Sequence, residues 1–481
     1  MAIPNVKPLD RERTFAIEEL FFSTTDAKGI IRYGNKVFSR VAGYELEKLI
    51  GEPHNIIRHP DMPRAVFQLL WDTIQADRPI VAYVKNMAKD GSYYWVLASV
   101  LPCKGGYLSI RIKPSSPIFD VVKAVYADVL ATERAVEADG EPNALKRGIQ
   151  AGLARTLELL KSKGFNSYDE FMWAIFSTEM LSRRQAIEAN DKPDKKASTS
   201  FSNGAKRSDT PAIDANHKLR GLLETCKSLD NHLNTLFGNV GNFENLNKQL
   251  LHKSTFILKL AESLRRFSLN AVVEACRLQD TGAALTVVAE TMGRSSNEGS
   301  AAVKQLTTSI ASLSSSLGEL TFDLIVPKLQ VEMICVFVKE LLDEHTAATE
   351  QSSQSEKNDC AIREHIELLV DTLLVRLKKI SPLLNMLNSD LNAMNQQIAD
   401  LQRFVKALRF IQFSGTVEAA RCEDAKSFAL IFDEALKQID EAHNELAKFA
   451  EIVSTNLQQT KTFEAVNRNI NSESEGLQTL I

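Results

Sequence analysis

The stretch Gly51-Glu52-Pro53-His54-Asn55-Ile56-Ile57-Arg58-His59-Pro60-Asp61-Met62-Pro63 sets three prolines among two histidines, an arginine and an aspartate. Proline fixes its own φ, supplies no N–H and restricts the residue before it, so this run reads as a pinned loop. Upstream, Phe21–Thr25 and Gly29–Gly34 are short β-like runs joined by the turn Asp26-Ala27-Lys28-Gly29, which makes them a hairpin. Downstream, Val66, Leu69, Leu70 and Ile74 share one face of a helix that starts after Pro63. Ile80–Ala88 and Tyr93–Leu101 then flank Lys89-Asp90-Gly91-Ser92 as a second hairpin, and Tyr107–Lys113 adds a last strand after Gly105-Gly106. Two strands, short helices, a longer helix and three strands define an α+β domain over residues 15–120.

The same residues resemble the PAS domain of bacterial aerotaxis receptors. The likeness runs over residues 20–115 through Gly43-Tyr44, the Pro53–Pro63 run, Val84-Lys85-Asn86, Asp90-Gly91 with Tyr94-Trp95-Val96, and Ser109-Ile110-Arg111. It implies an antiparallel five-stranded sheet with flanking helices and a pocket that holds FAD. Arg58, His59 and Asp61 are carried over from the motif as cofactor-binding positions, with Asn86 and Trp95 from the matched strands. An arginine suits this role, because its charge-assisted hydrogen bonds hold a pyrophosphate or a carbonyl oxygen. Two other readings stand beside it: haem with His54 and His59 as axial ligands, ranked below flavin, and a loop that Arg58 and His59 pin without touching any ligand.

Composition bounds the rest. A chain of 481 residues, 44% hydrophobic and 25% charged, suffices for two or three domains with sizeable cores. The net charge of −4, without any Lys/Arg-rich run, argues against a nucleic-acid partner. No stretch of eighteen apolar residues occurs, and Met1–Arg13 lacks the apolar core of a signal peptide, so no membrane span and a cytoplasmic location are expected. The six cysteines have no Cys-x-x-Cys spacing, which argues for reduced thiols rather than a disulfide framework or zinc. No nucleophile has an evident base partner and no Gly-rich phosphate loop occurs, so the chain is not expected to be an enzyme.

Residues 121–189 read as a helical connector, with Phe119–Val136 as an output helix leaving the last strand. Residues 190–215 are polar and read as a flexible linker. Beyond it, Ile257, Leu260, Leu264, Phe267, Ala271, Glu274 and Leu278 recur at alternating steps of three and four, a coiled-coil seam. Val303, Leu306, Ile310, Leu313, Leu317, Leu320 and Leu324 return in the same rhythm, so residues 216–330 form a helical hairpin. Residues 331–475 form a second. There Leu401, Phe404, Leu408, Ile411, Gly415, Glu418 and Cys422 repeat the first seam displaced by 144 residues, which favours a duplication. Pro327 and Ser381-Pro382 are expected to end or kink helices, with Ser381 as a cap.

The first tip, Leu269-Asn270-Ala271-Val272-Val273-Glu274-Ala275-Cys276-Arg277, resembles the signalling tip of methyl-accepting chemotaxis proteins. That likeness implies contact with a chemotaxis histidine kinase and its coupling protein through Asn270, Glu274, Arg277 and Val287, with Glu418 and Arg421 as the matching pair of the second copy. It also implies a homodimer, or both hairpins joined in one four-helix bundle with its tips at one end. The plainer reading of these charges is an interhelical salt-bridge set that fixes register. Two functions follow: a sensor of redox state, oxygen or a small ligand with a chemoreceptor-like output, or a scaffold that uses the PAS domain to dimerise and the bundle to bind partners.

Overall fold

The computed structural model describes residues 6–190, 211–277, 283–347, 355–421 and 425–480. The chain forms two compact units. One comprises Met1–Asn234, Thr321–Lys379 and Asn469–Ile481, and the other Thr235–Leu320 and Ile380–Arg468.

In the first unit, strands β1 (Phe21–Asp26), β2 (Ile31–Gly34), β3 (Ile80–Met87), β4 (Tyr93–Cys103) and β5 (Gly106–Ile112) make one antiparallel sheet in the order β2-β1-β5-β4-β3. Helices α1 (Lys36–Ala42), α2 (Leu46–Leu49) and α3 (Arg64–Gln75), with a 3₁₀ turn at His54–Ile57, lie between the two hairpins in sequence. The proline-rich loop is tied to the sheet at two places. His54 donates its N–H to the Gly29 carbonyl at 2.9 Å, and a bridge joins Arg58 to Asn86 of β3.

Period-two alternation gives the sheet two working faces. Thr25, Val84, Asn86, Ala98, Val100, Tyr107, Ser109 and Arg111 face a cavity closed by α3. Phe22, Tyr83 and Trp95 point the other way, Tyr83 and Trp95 meeting the Phe119 ring at 5.4 and 5.3 Å.

The connector helices are α4 (Ile118–Glu137), α5 (Ala144–Ser162) and α6 (Tyr168–Asn190). The expectation that α4 leads outward from the domain is corrected here: it packs on α5 and turns back onto α3. Buried Glu133 accepts the Arg64 and Ala65 N–H groups at 2.8 and 2.7 Å, replacing the cap that Pro63 cannot give α3. Gly152 is required there, because a Cβ would lie 2.6 Å from the Glu133 carboxylate.

Helices α7 (Pro211–Arg277), α8 (Ala283–Ala347), α9 (Ser355–Ala420) and α10 (Lys426–Leu480) supply the rest of both units. Most of the linker read over 190–215 lies outside the described residues. Pro327 does not end α8, and the division drawn at 330/331 falls inside that helix. The segment 320–331 is buried on every side, and that packing offsets the roughly 3 kcal/mol cost of an interior proline. Pro382 likewise sits inside α9, where the Ser381 hydroxyl accepts a 2.7 Å hydrogen bond from the Asn467 amide instead of capping a helix.

Within the first unit, α8 and α9 pack on the outer sheet face. Phe337 of α8 meets Phe22 and Tyr33 at 5.4 and 5.5 Å, His365 of α9 meets Tyr33 at 4.5 Å, and Phe176 of α6 meets Phe322 at 5.7 Å. Arg183 of α6 pairs with Glu332 at 2.7 Å.

The second unit is a four-helix arrangement built by one chain. Ser268 bonds the Ala289 carbonyl across α7 and α8, Ser316 bonds Asp390 across α8 and α9, and Gln412 bonds the Phe432 carbonyl across α9 and α10. Its buried stripe keeps all of the expected seam from Val303 to Leu324 and, on α7 and α9, Ala271, Leu401, Leu408 and Gly415, but departs from the seam at alternate positions. The side chains expected at 257, 260, 264 and 278 lie outside the described residues. Ser268, Ala271 and Ala275 are buried, and so are Gln412, Gly415 and Ala419, 144 residues on, whereas Glu274 and Glu418 flank the stripe. On the returning helices Leu285, Ala289 and Met292 correspond to Phe428, Phe432 and Ala435 at a displacement of 143, so the second tip is shorter by one residue. Gly415 admits the Phe432 ring, which a Cβ would meet at 2.2 Å.

Candidate functional site

The cavity under the sheet has a volume of about 350 Å³. Its apolar wall is made by Phe67, Leu70, Trp71, Val84, Val100 and Tyr107, with Ile149 reaching in from α5. Its polar groups are His54, Asn55, Asn86, Ser109 and Arg111, with Lys28, Arg58 and Arg64 adding positive charge. An apolar chamber with few placed polar groups is the usual form of a small-molecule site.

Arg111 is the dominant charge in this chamber. Strand β5 carries it inward in phase with Tyr107 and Ser109, and it is 2% exposed. Its guanidinium donates to the Ser23 hydroxyl at 3.0 Å and to His54 Nε2 at 2.5 Å, and lies 5.2 Å from the Phe38 ring centroid. No carboxylate pairs with it among the described residues. Burial lowers its pKa to about 10, still cationic at neutral pH. Burial, then the Arg111 charge, hold His54 down to about 3, which keeps the ring neutral and its Nε2 an acceptor.

Of the residues expected to hold a cofactor, Arg58 and Asn86 line the cavity and His59, Asp61 and Trp95 do not. Arg58 stacks over Phe67 with 4.1 Å to the centroid and donates to the Met62 carbonyl at 3.1 Å, so part of its donor set is spent on its own loop. Burial, then the neighbouring Arg64, lower it to about 10. His59 is buried behind the loop, where its Nδ1 accepts the Asp61 N–H at 3.1 Å. Burial first and Lys85 second hold it at about 4. Asp61 is half exposed and takes Lys85 and Arg134, each at 3.2 Å. Partial burial works against ionisation, but these two partners keep its carboxyl below the usual range. Trp95 is on the other face of the sheet because it is out of phase with Ala98 and Val100. Of the two histidines named as haem ligands only His54 lines the cavity, and Arg111 already engages its Nε2.

Arg111 closes the Ser109-Ile110-Arg111 motif and is not among the residues expected to hold the cofactor. The signal was present: a charged residue in phase with the inward positions of a strand.

The tip residues fall at equivalent places in the two copies. Glu274 pairs with Arg277 within α7, and Glu418 of α9 with Arg421 in the turn just past its end, each at 2.9 Å and three residues apart. The expected interhelical set is thus corrected to two local pairs, and both arginines are largely exposed. Asn270 and Val287 are exposed beside the first pair. Leu269, Val273 and Val287 are exposed apolar positions, and Phe413, Val417 and Leu430 repeat them on the second tip at the displacements that relate the buried stripes.

A five-stranded antiparallel sheet of this order, closing with its helices over a lined cavity, is a PAS fold, and residues 31–106 match the family model described as PAS fold. The chain is 39% identical over 116 residues to the aerotaxis receptor of Escherichia coli (strain K12), covering 23% of each chain. It is 32% identical over 80 residues to the nitrogen fixation regulatory protein of Klebsiella pneumoniae, covering 17% of this chain and 16% of that one. These matches therefore span less than a quarter of either relative. Among solved structures, a light-oxygen-voltage domain studied with a flavin analogue aligns with 22% of this chain and 85% of its own at 18% identity and a TM-score of 0.21. Among the described residues no helix is long and apolar enough to cross a membrane.

Proposed function

We propose that this protein is a signal-transduction sensor whose PAS cavity binds a flavin, FAD, and whose helices deliver the output. The observation that carries the reading is Arg111, a buried cation facing a chamber in which no carboxylate among the described residues neutralises it. Such a group is costly unless a ligand supplies acceptor oxygens. A flavin ring system matches the chamber's chemistry. Trp71, Phe67 and Tyr107 would hold the rings, Arg111 and Asn86 would bond ring oxygens and nitrogens, and Arg58, Arg64 and Lys28 would attract the anionic tail. When bound, a flavin supplies reversible redox chemistry whose potential the low-dielectric pocket sets. The similarity to the aerotaxis receptor supports a redox or oxygen stimulus.

The signal has a short route. Ser23 touches Arg111 on the cavity face of β1, and Phe22, the residue before it, packs on Phe337 of α8 on the other face. A change in the Arg111 contacts moves a strand that touches the output helix directly. The exposed tip residues, with Asn270, Glu274, Arg277, Glu418 and Arg421, are proposed to meet a chemotaxis-type kinase or coupling protein in the cytoplasm, without catalysis by this chain. The visible absorption spectrum of the purified full-length protein tests the cofactor. Flavin bands that disappear in Arg111→Gln support this reading. A colourless wild-type protein that gains no flavin on reconstitution overturns it and leaves the scaffold reading, which the repeated exposed apolar tips favour independently.

A further inference from the structure

Two cysteines of the first unit lie together where α7 meets α8. Cys226 is fully buried on α7 beside Lys227, which lines the same cavity as Cys335 of α8, and the two thiols interact. Cys335 is partly exposed and lines a surface cavity of about 430 Å³, together with Lys227, Asp230, Glu332 and Lys339. The two thiols are unlike. The interaction with Cys226, helped by Lys339 and Lys227 against burial and Asp230, holds Cys335 below its ordinary value, and the same interaction with burial pushes Cys226 up.

We infer that Cys335 and Cys226 form a peroxide-oxidisable dithiol, with Cys335 as the attacking sulfur and Cys226 as the resolving one. The cavity gives a small oxidant access to Cys335, and lysines beside it favour the thiolate that reacts. In the first step the Cys335 sulfur attacks one peroxide oxygen, the O–O bond breaks, and the other oxygen leaves as water after taking the thiol proton. Cys335 is then a sulfenic acid. In the second step the Cys226 sulfur attacks that sulfur, the S–O bond breaks, and the hydroxyl leaves as water with the Cys226 proton. Two thiols are oxidised to one disulfide, and one hydrogen peroxide is reduced to two waters.

The product ties α7 to α8 two residues from Phe337. Positions two apart on a helix point to different sides. The disulfide therefore clamps α8 on the side facing α7, while Phe337 holds the PAS sheet. Oxidation would stiffen the element that the sheet acts on. The inference rests on the thiol pair and needs no flavin.

The experiment treats the full-length protein with increasing hydrogen peroxide, quenches it, alkylates in denaturant and maps the cysteine peptides without reduction. The expected result is joint loss of alkylated Cys226 and Cys335 with one cross-linked peptide pair, at peroxide levels that leave exposed Cys276 alkylated. Cys226→Ser is expected to trap Cys335 as a dimedone-reactive sulfenic acid, and Cys335→Ser to leave Cys226 alkylated. Oxidation of Cys276 with the pair still alkylated, or cross-links only between chains, overturns the proposal. The wild-type map decides even if either variant fails to fold.

Discussion

Two buried cations of this chain are treated in opposite ways. Arg183, at the base of the helices, is 5% exposed and pairs with Glu332 at 2.7 Å. Glu332 also takes Lys328, which in turn reaches Asp230 at 3.7 Å. Burial opposes ionisation of Glu332, but Lys328 and Arg183 keep its carboxyl below the usual range. Arg111, in the PAS cavity, is buried as deeply, and among the described residues it meets a hydroxyl, an imidazole, a carbonyl and aromatic rings but no carboxylate. A cation whose counter-charge is covalently part of the fold stabilises that fold. A cation that lacks one is the group on which the proposed flavin reading rests.

Breaking the paired site should have the largest effect. Arg183→Met leaves part of the Glu332 charge uncompensated and loses donors to the Ile17 and Glu18 carbonyls, with an expected cost of about 3–5 kcal/mol in denaturant unfolding. Ligand occupancy of the folded fraction should be unchanged. A neutral Arg183→Met would remove the contrast.

Acid should reach the PAS domain next. His59 falls from 6.5 in the unfolded chain to about 4 in the fold, so its contribution is complete above pH 6.5 and declines as pH drops toward 4. His54, with a folded value of about 3, acts in the same direction. The unfolded chain binds more protons over this window, and His59 alone corresponds to a loss of about 3 kcal/mol at its lower end. Melting curves across this range check it, and His59→Gln should flatten them.

Arg111→Gln sharpens the comparison most directly. Removing this buried charge should change apo stability by no more than about 1 kcal/mol, whereas flavin binding should weaken by roughly 10- to 100-fold. Titration calorimetry or retained flavin absorbance measures the second effect. Glu133→Gln weakens the cap on α3 and should cost about 1 kcal/mol in thermal unfolding. Glu274→Gln with Glu418→Gln breaks two exposed pairs and should shift stability by less than about 0.5 kcal/mol, so any loss of partner capture would report on contact rather than folding.

Much of the PAS domain was legible because short-range rules governed it. The turns at Asp26–Gly29 and Lys89–Ser92 and the alternation of β3 to β5 place every strand within a few residues. The helical half was legible in period and, on α8, in phase, since Val303, Leu306, Ile310, Leu313, Leu317, Leu320 and Leu324 are all buried; on α7 and α9 only alternate seam positions are. A three-four rhythm is satisfied by Phe267 or by Ser268, and only the neighbouring helices select the stripe through Ser268, Ala271 and Ala275. Pro327 lies inside α8 rather than at a helix end for a related reason, since propensity counts the missing hydrogen bond and not the packing around 320–331.

The sequence by itself determined the order of strands and helices, the internal repeat and the chemical character of the proline-rich loop, because each depends on residues close in the chain. Tertiary structure alone decided which charges are neutralised. Arg183 finds Glu332 across 149 positions, whereas Arg111 finds no carboxylate among the described residues, and electrostatics under low dielectric depends on what long-range folding brings within a few ångströms.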